Sequence, residues 1–467
     1  MTRGRVGNRD IYVSTRSAAP MLDFGDALLT GLASDGGLYV PESWPALPEV
    51  SPSAYADLAT AMMMPFVEGV IESDDLAAMA HGAYATFDHP DVCPLVGLDH
   101  HHHLLELFHG PTLAFKDIAL QLVGRLFDHE LERRDERVVI VGATSGDTGS
   151  AAMEAVRDRD RIDIVVLHPE GRTSEIQRRQ MTCLTAPNVH AVAIDGTFDD
   201  CQDLVKAMFA DEPFRARCNL AAVNSINWAR VMAQIVYYAW AVQLLDRRHE
   251  PTTFCVPTGN FGNVFAGHGA RLMGLGVERF IVASNTNDIL SRLIETGEMV
   301  ASDVVPTLSP SMDIQISSNL ERLLFELLDQ NGPATAELLA TFRDRGRVGL
   351  TVAQHDRLRE EFSGDRLEDA ETLEVMARVH DTAGLLVDPH TAVAIGVAER
   401  LRRPDETVVT FATAHPAKFP DAVQRATGVE VPLPPHLADL LERPERCQSL
   451  ADDLALVEDF VASVRRH

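Results

Sequence analysis

From Arg137 to Ser284 the chain repeats one pattern: an apolar run of strand length, a short polar turn, then a stretch with helical apolar spacing. Arg137–Ala143 runs into Thr144-Ser145-Gly146-Asp147-Thr148-Gly149 and a helix from about Ser150 to Arg157. Ile164–Leu167 precedes a helix near Ser174–Leu184, and Val189–Ile194 precedes one over Phe198–Phe209. Ala221–Asn224 leads to a long helix over Trp228–Leu245. Phe254–Pro257 feeds a second glycine-rich turn, Thr258-Gly259-Asn260-Phe261-Gly262-Asn263, and Phe280–Ser284 follows. Strands separated by helices pair through crossovers, so the alternation predicts parallel sheets with helices on both faces, an α/β fold.

The flanks are different. Residues 1–92 read as a separate N-terminal unit, with Tyr12–Arg16, a helical run over Phe24–Gly31, and an Asp35-Gly36-Gly37 turn feeding Leu38–Pro41. A Pro-rich connector over 41–52 then leads to helical segments near Tyr55–Val70 and Asp74–Thr86. Residues 93–235 are expected to form a smaller α/β domain and 236–467 a larger one. Within the larger one, Leu290–Val379 reads as largely helical, Val408–Ala412 as a last strand, and Leu433–His467 as capping helices. Asp99 and the four histidines His100–His103 lie where a hairpin turn would fall. Neighbouring strand residues point to opposite faces, so a solvated hairpin is the better reading than a metal site.

Composition excludes several classes. No apolar run approaches the roughly 20 residues that cross a bilayer, and Met1–Asp10 lacks the apolar core of a signal peptide. A formal net charge of −28 would repel a nucleic-acid backbone. Six cysteines without paired or metal-ligand spacing suit reduced thiols in a cytoplasm.

Chemistry is signalled at His109-Gly110-Pro111-Thr112-Leu113-Ala114-Phe115-Lys116-Asp117. An apolar run, Leu104–Phe108, precedes it, and helical spacing at Phe115, Ile118, Leu122, Leu126 and Phe127 follows. Lys116 therefore falls in the first turn of a helix, where the helix dipole disfavours a cation. The chain has only three lysines, Lys116, Lys206 and Lys418, against 38 arginines. Lysine can bond covalently to an aldehyde, and arginine cannot. The plain alternative is a lysine snorkelling at a helix start. Each glycine-rich turn presents backbone N–H groups at a helix N-terminus and can cradle an anion, although α/β proteins also need tight turns there. Neither has a nucleotide-binding spacing, which weakens a Rossmann dehydrogenase reading. A lysine near two anion cradles points to a phosphorylated aldehyde cofactor and a carboxylate or phosphate substrate. On the residues alone, Arg230 reads as a solvated surface arginine, and Lys418 stays open between substrate contact and loop packing.

In order along the chain, these blocks resemble the threonine synthases. They include Ser14-Thr15-Arg16, Asp35–Pro41, His109–Asp117, Thr144–Gly149, Asn224-Ser225-Ile226-Asn227-Trp228-Ala229-Arg230 and Thr258–Asn263. Ser309–Ile314, Ser317-Ser318-Asn319 and Thr413-Ala414-His415-Pro416-Ala417-Lys418-Phe419 complete the set, which spans residues 12–419. Leu320 departs from the aromatic residue that many members carry there. The resemblance implies two doubly wound parallel-sheet domains of the fold type II pyridoxal 5'-phosphate enzymes plus the N-terminal unit. It also implies a cytoplasmic monomer or homodimer acting on O-phospho-L-homoserine, with no metal. Lys116 would hold the cofactor as an imine and move protons at the substrate's α and β carbons. Gly259, Asn260, Phe261, Gly262 and Asn263 would cradle the cofactor phosphate, and Thr413 would meet its pyridine nitrogen. Thr144, Ser145, Gly146, Asp147 and Thr148 would face the substrate carboxylate, with Asp147 also near the cofactor's ring hydroxyl. Asn227 and Arg230 would bind the substrate phosphate, with Lys418 as a further candidate. A phospholyase releasing a 2-oxo acid and a catalytically silent interaction protein are the rival expectations.

Overall fold

A computed structural model describes residues 11–246 and 250–466. The polar stretch Met1–Asp10 lies outside the described residues. The strands, in chain order, are β1 (Tyr12–Ser14), β2 (Tyr39–Pro41), β3 (Leu95–Gly97), β4 (His102–Glu106), β5 (Val138–Ala143), β6 (Ile162–Pro169), β7 (Val189–Asp195) and β8 (Leu220–Ala221). They continue as β9 (Thr252–Pro257), β10 (Val277–Ser284), β11 (Glu298–Val300), β12 (Arg347–Gly349), β13 (Phe362–Arg366), β14 (Val408–Ala412) and β15 (Gln448–Ala451). Two sheets dominate. A five-stranded sheet, ordered β15-β7-β6-β5-β8, is parallel throughout. A six-stranded sheet, ordered β13-β10-β9-β14-β4-β3, is parallel except for the β3–β4 hairpin. This is the α/β arrangement that the alternation predicts, and β5, β6, β7, β9 and β10 lie where expected to within two or three residues.

The sheets do not follow the expected domain cuts. Strands β3 and β4, assigned by sequence to the smaller domain (93–235), pair with β14 in the larger sheet. Strand β15, assigned to the larger domain (236–467), closes the edge of the smaller sheet against β7. The chain therefore crosses between sheets more often than its composition suggests, because long-range strand pairing leaves no local signature. The stretch Leu290–Val379 is also less helical than expected. It holds the β11–β12 ribbon and β13, a strand whose Ser363-Gly364-Asp365-Arg366 run carries no apolar alternation because it pairs on one side only. In the tail only Leu454–Val464 is an α-helix among the described residues, and the polar edge strand β15 stands where a helix was expected. Ala221–Asn224 shortens to the two-residue β8. The histidine run does form the β3–β4 turn. Its solvated reading fails at His102, which is buried with Nε2 2.8 Å from Thr410 Oγ1.

Two helices carry the candidate residues Lys116 and Arg230. Trp228–Leu244 is apolar nearly all round and buried along almost its whole length, as an internal helix must be. The N-terminal unit docks on it through aromatic contacts: Tyr12, Trp44 and Phe66 surround the Trp228 ring, and Tyr55 packs on Trp240. The other helix, Lys116–Arg134, packs on Asp147–Val156 at a very short distance. A Cβ on Gly124 would lie 2.4 Å from the Ala155 carbonyl oxygen, so only glycine permits this approach.

Candidate active site

Strands β4 and β14 are neighbours, and the segments leaving their C-terminal ends are zipped together. Phe115 N–H donates to Thr413 O at 2.9 Å, His415 N–H donates to Leu113 O at 3.0 Å, and Ala114 bridges Ala414. Sheet adjacency thus brings Lys116 and Thr413, 297 positions apart in sequence, to one place. The loop is tightened from within. Asp117 accepts from Thr112 N–H at 2.8 Å and from its hydroxyl at 2.7 Å, and Leu113 takes a left-handed φ of 63°.

Lys116 is the first residue of its helix and is buried, with Nζ 3.2 Å from Asp147 Oδ2. Burial lowers its pKa, opposed by Asp147 and reinforced by the like charges of Lys418 and Arg230. A buried lysine with a depressed pKa is more readily available as an uncharged base than one in water. Asp147 opens the helix Asp147–Val156. Burial alone would raise its pKa, but Lys116 and Lys418 hold it well below the usual carboxylate range. It also accepts from Gln177 Nε2 at 2.9 Å and from Ser311 Oγ at 3.2 Å.

The structure places the other expected residues unequally. Ser145 is exposed and Thr148 half-buried beside Asp147. Thr144 does not simply face a ligand, because its Oγ1 accepts the N–H groups of Gly146 (3.0 Å) and Gly149 (2.9 Å). Gly146 has φ 147° and lies against Gln177. Lys418 is fully buried, and Nζ is held by Asp147 Oδ1 and Thr112 O, each at 2.8 Å. Loop packing is therefore what its contacts describe. Asn227 and Arg230 do not form the expected pair. Asn227 caps the Trp228–Leu244 helix, accepting from Ala229 N–H at 3.0 Å, and its amide donates to Leu28 O at 2.8 Å. Both ends of that amide are committed to the fold. Arg230 is buried rather than solvated, because its helix is internal, and its Nε and Nη1 have no hydrogen-bond partner among the described residues. Burial brings its pKa down to about 10.

The second turn is built around backbone contacts. Phe261 takes a left-handed φ of 61° and leads into the helix Gly262–Met273. Ser317 Oγ donates to Gly259 O at 2.7 Å, and Asn319 donates to Asn260 O from both its backbone and its side-chain amide at 3.0 Å. With those carbonyls engaged, the N–H groups of the helix's first turn remain for a ligand. Asn263 Oδ1 accepts the hydroxyls of Tyr237 (2.6 Å) and Tyr238 (3.1 Å), while its Nδ2 is buried with no partner among the described residues. The orphaned donor of Asn263, in the first turn of the helix Gly262–Met273, fits one phosphate group, and those of Arg230, on the helix Trp228–Leu244, fit a second. The buried lysine fits an aldehyde. The residues present therefore suit a phosphorylated aldehyde cofactor. A Cβ on Gly259 would meet the Ser311 carbonyl oxygen at 2.5 Å, whereas the nearest atom to one on Gly262 is the Asn319 amide nitrogen, at 3.2 Å. Gly259→Ala is accordingly expected to displace the turn and weaken pyridoxal phosphate retention at least tenfold in equilibrium dialysis. Unchanged retention would show that the turn does not hold the cofactor.

Sequence reasoning missed the support behind Asp147. Asp388 Oδ1 accepts from His390 Nδ1 at 2.7 Å, which leaves His390 Nε2 to accept Ser311 N–H at 3.2 Å. Ser311 then reaches Asp147. The local signal was Asp388-Pro389, an N-cap and N1 pair that starts the helix Pro389–Leu401. Gln177 had no comparable signal.

Residues 95–341 match the family described as pyridoxal-phosphate dependent enzyme, and the chain is a pyridoxal-phosphate-dependent enzyme of fold type II. Residues 11–84 match the threonine synthase N terminus and 391–461 the threonine synthase C-terminal family. The threonine synthase of Pseudomonas aeruginosa is 52% identical over 97% of this chain and 98% of its own. A PLP-bound threonine synthase structure from Brucella melitensis superposes with a TM-score of 0.96 at 48% identity, covering 98% of this chain and 100% of that one. The yeast threonine synthase structure gives 0.92 at 36% identity over 97% and 98%. The chain belongs to the threonine synthase family.

Proposed function

We propose that the protein converts O-phospho-L-homoserine and water to L-threonine and phosphate, using pyridoxal phosphate. The observation that carries this reading is the buried Lys116, its pKa depressed, with Arg230, whose Nε and Nη1 have no partner among the described residues, close enough to act on it. Lys116, the turn from Gly259 to Asn263, and Thr413 are the groups that would hold the cofactor. When bound, the cofactor supplies an electron sink for carbanions at the substrate. Lys116 is the base that takes protons from Cα and Cβ and the acid that returns them. Phosphate leaves from Cγ into the field of Arg230, whose free donors suit a phosphate oxygen. Ser145 and Thr148 offer hydroxyls to the substrate carboxylate. Asp147 keeps Lys116 and Lys418 in register, and water adds at Cβ.

A silent interaction protein fits the site less well. Lys116 and Lys418 share the single carboxylate of Asp147, and Arg230 adds a like charge felt at Lys116, an arrangement that costs stability unless a ligand answers it. A phospholyase differs only in releasing a 2-oxo acid before water reaches Cβ, so products decide. Incubated with O-phospho-L-homoserine, the holoenzyme is expected to yield threonine and phosphate in equal amounts. Phosphate accompanied by 2-oxobutanoate would overturn the assignment. No helix among the described residues is long and apolar enough to cross a membrane. The six cysteines are free thiols, which supports a cytoplasmic location, and we take the assembly to be a monomer or homodimer.

A further inference from the structure

Arg322 lies in the first turn of the helix Leu320–Leu327, where the helix dipole disfavours a cation, and it is fully buried. Every hydrogen bond that its guanidinium donates among the described residues goes to an uncharged oxygen. Nε and Nη2 donate to Tyr39 O at 3.1 and 2.9 Å, Nη2 also to Ile226 O at 2.6 Å, and Nη1 to Asn319 Oδ1. The neighbouring carboxylate, Glu321, is engaged elsewhere, by Arg16 Nε and Nη2 at 3.0 Å each and by Thr15 Oγ1 at 2.6 Å. Burial brings the Arg322 pKa down to about 9, with Glu321 opposing. A buried cation answered by dipoles alone costs stability. Its connections show what it serves.

Asn319 links the charge to the second glycine-rich turn. Its Oδ1 accepts from Arg322, while its Nδ2 donates to Asn260 O at 3.0 Å and to Ser225 O at 3.1 Å. Its backbone N–H donates to Asn260 O as well, at 3.0 Å. A trans peptide unit is planar and points its N–H away from its C=O. Two donors on Asn260 O therefore turn Phe261 N–H to the side facing away from Asn319. A guanidinium at the acceptor end of the Asn319 amide also polarises its donor end, and the pull passes through Asn260 O to Phe261 N–H. We propose that Arg322 is a positioning residue for the cofactor's phosphate: acting through Asn319, it fixes and polarises the Asn260–Phe261 peptide so that Phe261 N–H donates to that phosphate. Tyr39 O, on β2, and Ile226 O, in the loop entering the Arg230 helix, hold the guanidinium in place. The N-terminal unit is thereby part of the support of the phosphate turn. The inference rests on the reading that the turn from Gly259 to Asn263 holds the cofactor.

The test is equilibrium dialysis of the full chain against pyridoxal 5'-phosphate and, separately, against pyridoxal, which lacks the phosphate. Arg322→Gln is expected to weaken pyridoxal phosphate binding by about tenfold or more and pyridoxal binding by less than about threefold, the loss of a charge-assisted network falling on the phosphate alone. Asn319→Ala should show the same selectivity. The double variant should lose no more than the larger single loss, because one residue acts through the other. A merely structural role would weaken both ligands alike, and that result would overturn the proposal. Unchanged pyridoxal phosphate affinity, or losses that multiply in the double variant, would overturn it equally. Where Arg322→Gln does not fold, Arg322→Lys takes its place. It keeps a cation but cannot serve Asn319 and both carbonyls together, so the same phosphate-selective loss is expected. Gly259→Ala tells the two readings apart. Retention intact in Gly259→Ala would remove the turn from cofactor binding and this proposal with it, whereas retention lost there and kept in Arg322→Gln would overturn the role of Arg322 alone.

Discussion

Lys116→Ala is expected to leave a folded protein with kcat reduced by at least about 10²–10⁴-fold, the span that a positioned acid/base supplies. The fold should survive because Asp147, the partner left behind, keeps Lys418 at 2.8 Å, Gln177 and Ser311. Removing Lys116 also takes out a buried charge whose pKa burial already depresses. The matching control is Lys206→Ala. Lys206 is solvent-exposed and paired with Asp203 on its own helix, so its loss should leave turnover unchanged. Borohydride reduction of the holoenzyme should fix the cofactor to the peptide carrying Lys116. Attachment at Lys206 or Lys418, or near-normal turnover in Lys116→Ala, would remove Lys116 from the chemistry.

Arg230→Lys is expected to lower kcat/KM about 10- to 150-fold. The substitution keeps the charge and removes the planar fork, and a charge-assisted hydrogen bond is worth about 1.5–3 kcal/mol. Inhibition by free phosphate should weaken in parallel, because substrate and product would share the clamp. The cofactor's absorbance and affinity should not change. The free donors of Arg230 are confined to a buried helix face, and the orphaned Asn263 Nδ2 lies at the other anion cradle. The measurement therefore separates the two phosphates. A fall in cofactor affinity with unaltered phosphate inhibition would assign Arg230 to the cofactor.

The sequence exposed the site to the extent that its geometry is local. Lys116 at a helix start, the two glycine turns and the β5–β10 alternation all follow from residues within a few positions of one another. The burial of Arg230 is also local in origin. Its helix is apolar on every face, which already requires burial, so a solvated arginine there contradicts the pattern around it. Asn227, directly before that helix, has the position and chemistry of an N-cap. The pairing of Thr413 with the Lys116 loop was legible only by resemblance, since it depends on β4 and β14 being neighbours. The relay from Asp388 through His390 and Ser311 to Asp147 joins three distant segments, and no spacing rule connects them. Edge strands β13 and β15 were missed because a strand paired on one side needs no apolar alternation.

The place of β15 has a bearing on how the protein is made. Strand β7 ends at Asp195, yet the strand that covers its free edge begins only at Gln448. At about 5–20 residues per second, roughly 12–50 s of synthesis separate the two. Over that interval the smaller sheet emerges from the ribosome with an unpaired β7 edge, whose backbone groups are open to any passing strand. The larger sheet waits as well, since β14, which joins β4 to β9, is translated after residue 407. Neither half is complete as a nascent chain. Completion of the smaller sheet is therefore tied to synthesis reaching Ala451, and chaperone demand should be greatest while the stretch between Asp195 and Gln448 is being translated.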